Sequence, residues 1–263
     1  MEAGSVAAEL RRAGHRIQTA RFQNHTIASP SGEPVLLRLS DPIMLVATQA
    51  LTRSARSYVG TSASVLERCY DKYEAYQVAT ANGVDCPITM LGGDAGTMPF
   101  PLVLKPRRGS DSIGVKIFRQ GRLPQRACSE NYIAQRQVRG AELTIAVLYD
   151  RVGVPLRIHL PEGTPYSFSR RYLRRFPRAP LEDSALAARV QRAALDIARV
   201  FGVDWAARID LIHEKTTDRL RFLECDAAPL VGARSAFAAS LEAAGLTRSE
   251  QLQLLLTRTT KER

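Results

Sequence analysis

Residues 206–226 read AARIDLIHEKTTDRLRFLECD. Two runs that alternate apolar with polar residues flank the polar turn Glu214–Asp218, the pattern of an antiparallel hairpin. With the turn centred near Thr217, Asp210 lies opposite Glu224 and Arg208 opposite Asp226. Side chains alternate along a strand, so these four share one face, and Ile209, Leu211, Leu223 and Cys225 share the other. Three carboxylates crowded on one sheet face repel one another unless a cation neutralises them. Hard oxygen ligands at this density suit Mg2+, which takes its remaining ligands from water and substrate phosphates. A solvent-facing strand pair laced by Arg208, Arg219 and Arg221 accounts for the spacing equally well.

Working outward from the hairpin, residues 183–201 predict a helix capped by Asp183 or Ser184 and stopped by Gly202. Further helices are expected over residues 4–13, 43–52, 236–244 and 249–257, and over 62–82 with a break at Cys69–Asp71. Strands are expected at 16–22, 35–39, 57–59, 100–105, 115–118, 132–135, 142–148 and 154–160. Leu91–Pro99 reads as a turn-rich stretch, and the residues after 160 as an Arg-rich loop. Near the N-terminus helices and strands alternate weakly, as in an α/β unit.

Other stretches carry chemistry-bearing residues. Leu102-Val-Leu-Lys105-Pro-Arg-Arg-Gly109-Ser110-Asp-Ser112-Ile-Gly114 places a lysine at the end of a buried strand and follows it with a Gly/Ser loop. Such a loop offers a cation and backbone N–H donors to phosphate oxygens. The order is wrong for a P-loop, whose lysine follows the glycines and opens a helix, and a plain hairpin loop also explains it. Cys69-Tyr-Asp71-Lys72 leads into a helix. Arg170, Arg171, Arg174, Arg175 and Arg178 lie within nine residues, either as a clamp for an anion or as an exposed loop.

The 263 residues carry 37 Lys+Arg against 26 Asp+Glu, a formal charge of +11, with 45% hydrophobic residues. Wholesale disorder is excluded, and no apolar run reaches the 18 or so residues of a membrane span. Only five of the basic residues are lysines, so a lysine at a motif position is informative. Much of the excess charge sits in the 170–178 cluster; the rest reads as solvated surface more readily than as a nucleic-acid footprint. The four cysteines form no C-x-x-C pair, so a zinc finger, thioredoxin chemistry and a disulfide scaffold are unsupported. The first residues do not read as a signal peptide, which makes a reducing cytoplasm the expected compartment.

Taken in order, these pieces resemble the ATP-grasp superfamily, in its D-alanine:D-alanine ligase-like branch. The matching stretches are Asp71-Lys72 with the following Gly-x-x-x-Pro, Val103-Leu-Lys105-Pro with Gly109-Ser110 and Ile113-Gly114-Val115, Gly140-Ala-Glu142-Leu-Thr144, Ala207-Arg208-Ile-Asp210, and Glu224-x-Asp226 with Pro229 and Ser235. Two of the five lysines fall at the family's two lysine positions.

The resemblance implies an α/β (α+β) ATP-grasp fold: a short N-terminal α/β domain over 1–68, a central subdomain over 69–138 and a C-terminal subdomain with the metal site over 139–263, holding ATP between the last two. It implies that Lys72 and Lys105 contact ATP phosphates under a loop containing Gly109, Ser110 and Ser112. Gln135, Arg136 and Val138 would line the adenine, and Glu142 would bind the ribose hydroxyls. Asp210, Glu224 and Asp226 would hold Mg2+, two ions or Mn2+ in their place; Arg208 would stabilise developing charge, and Arg171 would lie near the γ-phosphate.

The activity implied is a carboxylate–amine ligation through an acyl phosphate on small-molecule substrates, with no membrane or nucleic-acid partner and a homodimer left open. Ligation of an amino acid to a cofactor or peptide tail, and a non-catalytic ATP-binding module, are the alternatives. Three departures stand out: Asp226 replaces the family's Asn, Leu230 replaces its Gly, and Gln135 stands where an acidic residue often accepts from the adenine amino group. The chain also begins at the helix after the family's first strand and Gly-rich turn. That implies a truncated N-terminal domain and points away from D-alanine as first substrate.

Overall fold

The computed structural model describes residues 2–23, 26–27, 33–110, 113–159 and 177–257. The first part runs α1 (Glu2–Arg12), β1 (Phe22–Gln23), β2 (Thr26–Ile27), β3 (Val35–Leu36), α2 (Ile43–Arg53) and β4 (Tyr58–Val59). β3 and β4 pair in parallel across α2, a small βαβ unit, while β1 and β2 form a short hairpin. The expected break in the next helix is present: α3 (Ala63–Tyr70) and α4 (Lys72–Ala81) meet at Asp71, whose extended backbone ends one helix and caps the other.

A four-stranded antiparallel sheet follows, in the order β5 (Thr89–Leu91), β8 (Tyr132–Arg136), β6 (Leu102–Pro106), β7 (Lys116–Phe118). Leu91–Pro99, read as turns, is largely a 3-10 helix over Gly92–Thr97. The reason is a close approach: a Cβ on Gly92 would lie 2.2 Å from the Ala127 carbonyl oxygen and 2.4 Å from that of Ser129. The tight helix thereby packs on one face of the small sheet, where Ala95, Met98, Leu102, Leu104, Ala127 and Ala134 form a core of their own.

The larger sheet contains β9 (Ala141–Leu148), β10 (Arg151–Val152), β11 (Leu156–Ile158), β12 (Arg178–Pro180), β13 (Ala206–Glu214) and β14 (Arg219–Asp226). Its order is β12-β11-β9-β13-β14, with β10 also on β9 and every pairing antiparallel. α5 (Ser184–Phe201) packs Leu186, Val190, Ala194, Ile197 and Phe201 against one face. Asp183 caps it, and Gly202 terminates it at φ +72, the left-handed conformation a C-cap needs. Leu143, Ile145, Val147, Ile209, Leu211, Phe222 and Cys225 meet that helix from the sheet, and residues of α2, α3 and α4 join the same core. Burial of each large side chain there contributes about 1.5–3 kcal/mol. α6 (Ala236–Ala243) and α7 (Arg248–Leu256) cover one end of the opposite face, over Ala146, Leu148 and Ala206. Beyond them that face carries Glu142, Thr144, Arg208, Asp210, Glu224 and Asp226, flanked by Leu156, Ile158 and Ile212.

The predicted hairpin register holds from Arg208↔Asp226 to Asp210↔Glu224 and then shifts. The reading that put Leu223 on the apolar face is corrected here: a bulge at this point lets Phe222 and Cys225, three residues apart, both enter the core, while Leu223 stays only half buried. β12, within the residues read as Arg-rich loop, is a strand the sequence did not suggest; its Pro180 is tolerated because β12 lies at the sheet edge. Among the described residues no helix is long and apolar enough to cross a membrane.

Candidate nucleotide and metal site

Register places one rank of side chains on the uncovered face of the large sheet. Thr144 pairs with Asp210, which pairs with Glu224; Ala146 pairs with Arg208, which pairs with Asp226; Glu142 lies one alternation further along β9. Gly140 makes this alignment possible, because a Cβ there would meet the His213 carbonyl oxygen at 2.1 Å.

Arg208 lies across two of the three acids. Its Nη2 is 3.0 Å from Asp210 Oδ2 and its Nη1 is 3.2 Å from Asp226 Oδ2. Thr144 Oγ1 donates to Asp210 Oδ1 at 2.7 Å, a partner missed in the sequence although its spacing of two from Glu142 puts it on the same face. Burial pulls Arg208 down, but the charges of Asp210 and Asp226 hold its pKa well above the ordinary value. Burial raises Asp226, and Glu224 adds repulsion to it. Glu224 goes the other way: the charges of Lys72, Arg208 and Lys105 outweigh its burial and hold its carboxyl below the usual range.

Both motif lysines face this rank. Lys72, the first residue of α4, stands 3.6 Å from Glu224 Oε1 and donates to the Gly109 carbonyl. Lys105, on β6, donates to Gln135 Oε1 at 2.7 Å, and Gln135 Nε2 donates to Thr89 Oγ1 at 3.0 Å. The amide oxygen that sequence reasoning offered to adenine therefore already serves Lys105. Burial and the neighbouring charge of Lys72, only partly offset by Glu224, push Lys105 down to about 8. Burial and repulsion from Asp210 push Glu142 up to about 8, and its buried Oε2 has no hydrogen-bond partner among the described residues.

Asp71 ties the lysines together. Its fully buried carboxylate accepts from the backbone N–H of Tyr73 and Glu74, capping α4, and from Arg107 Nε at 2.8 Å; Arg108 Nη2 lies at 3.0 Å. The backbone agrees, with Lys72 N–H donating to the Arg107 carbonyl at 2.9 Å. Helix α4 and the segment after β6 are thus one unit, and these charges outweigh burial to lower the Asp71 pKa.

Of the sequence-predicted residues, Lys72, Lys105, Gln135, Glu142, Arg208, Asp210, Glu224 and Asp226 come together, with Gly109 at the Lys72 ammonium. Arg136 is exposed and Val138 half buried at the end of β8, apart from the charged rank, and Ser110 lies on the loop after Gly109. Ser112 and Arg171 fall outside the described residues.

The donor set is all oxygen, as a hard divalent ion requires. Among the described residues no three acidic, histidine or cysteine side chains stand as a ready-made cage, since Arg208 and Lys72 already face the acids. That arrangement fits an ion completed by phosphate oxygens more than one enclosed by protein. The orphaned Glu142 Oε2, aimed into the polar face, fits hydroxyl donors.

A family model described as an ATP-grasp domain matches residues 69–158, which contain both lysines, Gln135 and Glu142. Over those residues the chain is similar to an ATP-grasp domain, and beyond them it is similar to D-alanine–D-alanine ligases. A D-alanine–D-alanine ligase of Methylacidiphilum infernorum is 28% identical over 174 residues, 62% of this chain and 57% of that relative. Those of Nitrosomonas eutropha and Nitrosomonas europaea are 28% and 24% identical, covering 73% and 91% of this chain and 68% and 87% of their own lengths. The chain thus spans little more than half of the first of these relatives and most of the last. Among solved structures, a D-alanine–D-alanine ligase from Bacillus anthracis complexed with ATP superposes with a TM-score of 0.68 at 20% identity, over 84% of this chain and 77% of that one. The VanG D-Ala:D-Ser ligase from Enterococcus faecalis gives 0.67 at 20%, over 80% and 67%. These likenesses establish the ATP-grasp fold.

Proposed function

We propose that this ATP-grasp protein is an ATP-dependent carboxylate–amine ligase working through an acyl phosphate. The observation that carries the reading is the facing of two lysines, joined through Asp71, onto a sheet face that holds three carboxylates and Arg208. A phosphoryl-transfer site needs this combination, since its catalysis is mainly positioning and charge neutralisation.

On this reading a substrate carboxylate oxygen attacks the γ-phosphorus of ATP and ADP leaves. An amine nitrogen then attacks the acyl carbon, phosphate departs, and the amine proton is released. Mg2+, when bound, screens the phosphate oxygens. Lys72 and Lys105 position the phosphates, Asp210, Glu224 and Asp226 supply ligands to the metal, and Glu142 accepts from the ribose hydroxyls. Arg208 supports charge that develops on the transferring group, and no side chain acts as covalent nucleophile. ATP would lie between the small sheet and the acidic face, within parts bounded at 1–68, 69–138 and 139–263. The names of the sequence relatives carry D-alanine on both sides of the bond and that of the VanG enzyme carries D-serine on one; to this chain we extend an amino-acid-like pair and a cytoplasmic setting.

The test is ADP release from ATP and Mg2+ against pairs of amino acids, with Asp210→Ala and Glu224→Ala as controls. The reading expects release that depends on an amino acid and falls at least about a hundredfold in either variant. Undiminished turnover in both would overturn the site.

A further inference from the structure

The loop from Ala227 to Arg234 joins Asp226, the last residue of β14 and the last acid of the charged rank, to the Ser235 cap of α6. Both oxygens of Asp226 are engaged. Oδ2 lies 3.2 Å from Arg208 Nη1, and Oδ1 accepts from the backbone N–H of Ala228, inside the loop, at 3.1 Å. Where the loop sits therefore decides how this carboxylate is turned.

The loop is held by side chains from the N-terminal part of the chain. Thr61, buried in the turn after β4, donates from Oγ1 to the Ala227 carbonyl at 2.8 Å. Arg38, two residues after β3, donates from Nη2 to the Pro229 carbonyl at 2.6 Å and to Glu2 Oε2 at 3.0 Å. Glu2, the first residue of α1, accepts through Oε1 from the N–H groups of Val231 and Gly232. Two carbonyls and two amides of the loop are thus fixed from three separate elements, and Val231 is buried in one cluster with Val6 and Leu10 of α1.

Stability alone is a poor reason for this arrangement. The Arg38 side chain is 4% exposed, and among the described residues its buried Nη1 has no hydrogen-bond partner. A buried ion pair of this kind contributes no more to folding than well-packed apolar side chains of similar volume. What it does supply is position, because the rigid guanidinium fork fixes two acceptors at once, here a carboxylate and a loop carbonyl.

We propose that Glu2, Arg38 and Thr61 are positioning residues for the metal: by fixing the loop after β14 they hold the Ala228 N–H on Asp226 and so set how that carboxylate meets a divalent ion. Groups that orient a ligand in this way govern metal affinity without touching the ion. The inference rests on Asp226 being a metal ligand, as in the ligase reading, but its test needs no turnover.

The experiment measures Mn2+ binding to the full chain by electron paramagnetic resonance, with a saturating non-hydrolysable ATP analogue, and follows folding by circular dichroism. Arg38→Ala should weaken Mn2+ binding at least about tenfold, with partial recovery in Arg38→Lys, which keeps the charge but not the fork. Thr61→Val, close in shape, should weaken it in the same direction, and carries the test if Arg38→Ala does not fold. In an Asp226→Ala background neither change should add to the loss, since residues that act through Asp226 cannot act once it is gone. A folded Arg38→Ala chain that binds Mn2+ as well as the wild type, or a loss just as large without Asp226, would overturn the inference and leave the ligase reading standing. Mn2+ binding that Asp226→Ala does not change would overturn it too, by removing Asp226 from the metal. The predicted losses in a chain that releases no ADP with any pair of amino acids would uphold the inference and overturn the ligase.

Discussion

Asp71 shows how much one side chain can hold in place. It caps α4, pairs with Arg107 and Arg108, and so couples the helix that presents Lys72 to the segment that follows Lys105. Asp71→Ala should cost about 2–4 kcal/mol, because it removes a helix cap and leaves Arg107 without its partner, whereas Asp71→Asn keeps the cap and should cost less. Urea unfolding of the two variants checks the order. Glu142 gives a pH signature. Its folded pKa of about 8 lies above that of the unfolded chain, so its contribution is fully present below the unfolded value and is lost as pH rises to about 8. The melting temperature of the wild type should therefore fall relative to Glu142→Gln between about pH 4.5 and 8, and parallel curves would refute the assignment. The importance of Asp71 was not legible in the sequence, since its meaning depends on Arg107, far along the chain. Arg208, Asp210, Glu224 and Asp226 were legible because strand alternation alone puts them on one face, whereas Glu142 was legible only through the family resemblance.

At the scale of elements, the crossing of β9 over β13 depends on Gly140. Gly140→Ala would force a methyl group against the His213 carbonyl, so the strands must part; a loss of at least about 2 kcal/mol is expected from chemical denaturation. A variant as stable as wild type would mean that β9 enters the sheet differently. The hairpin of β13 and β14 was readable from its turn and its alternation, but the bulge near Leu223 was not. Alternation presumes a uniform pleat, and an inserted residue becomes visible only when Phe222 and Cys225 must both reach α5. β12 escaped for a similar reason: three exposed residues ending in proline carry no period, and only pairing with β11 makes them a strand. The 3-10 helix at Gly92–Thr97 reflects a close backbone approach that composition does not encode.

Across the whole molecule, two antiparallel sheets serve different ends. The small sheet has its own core and presents Lys105 and Gln135, while the large sheet shares its core with α2 to α5 and presents the acids. Helix α4 is built into the larger core yet places Lys72 at the site, so a cation of the central segment is anchored on the body that carries the carboxylates. The net charge of +11 takes on a local meaning in this frame, since two of the five lysines and Arg208 converge on the acidic face. The central claim is that bond formation passes through an acyl phosphate, and oxygen transfer tests it most directly. An amino acid labelled with oxygen-18 in its carboxylate is turned over with ATP and Mg2+, and the released phosphate is analysed by mass. The account predicts that each phosphate formed with product carries a single labelled oxygen; product accompanied by unlabelled phosphate would contradict it.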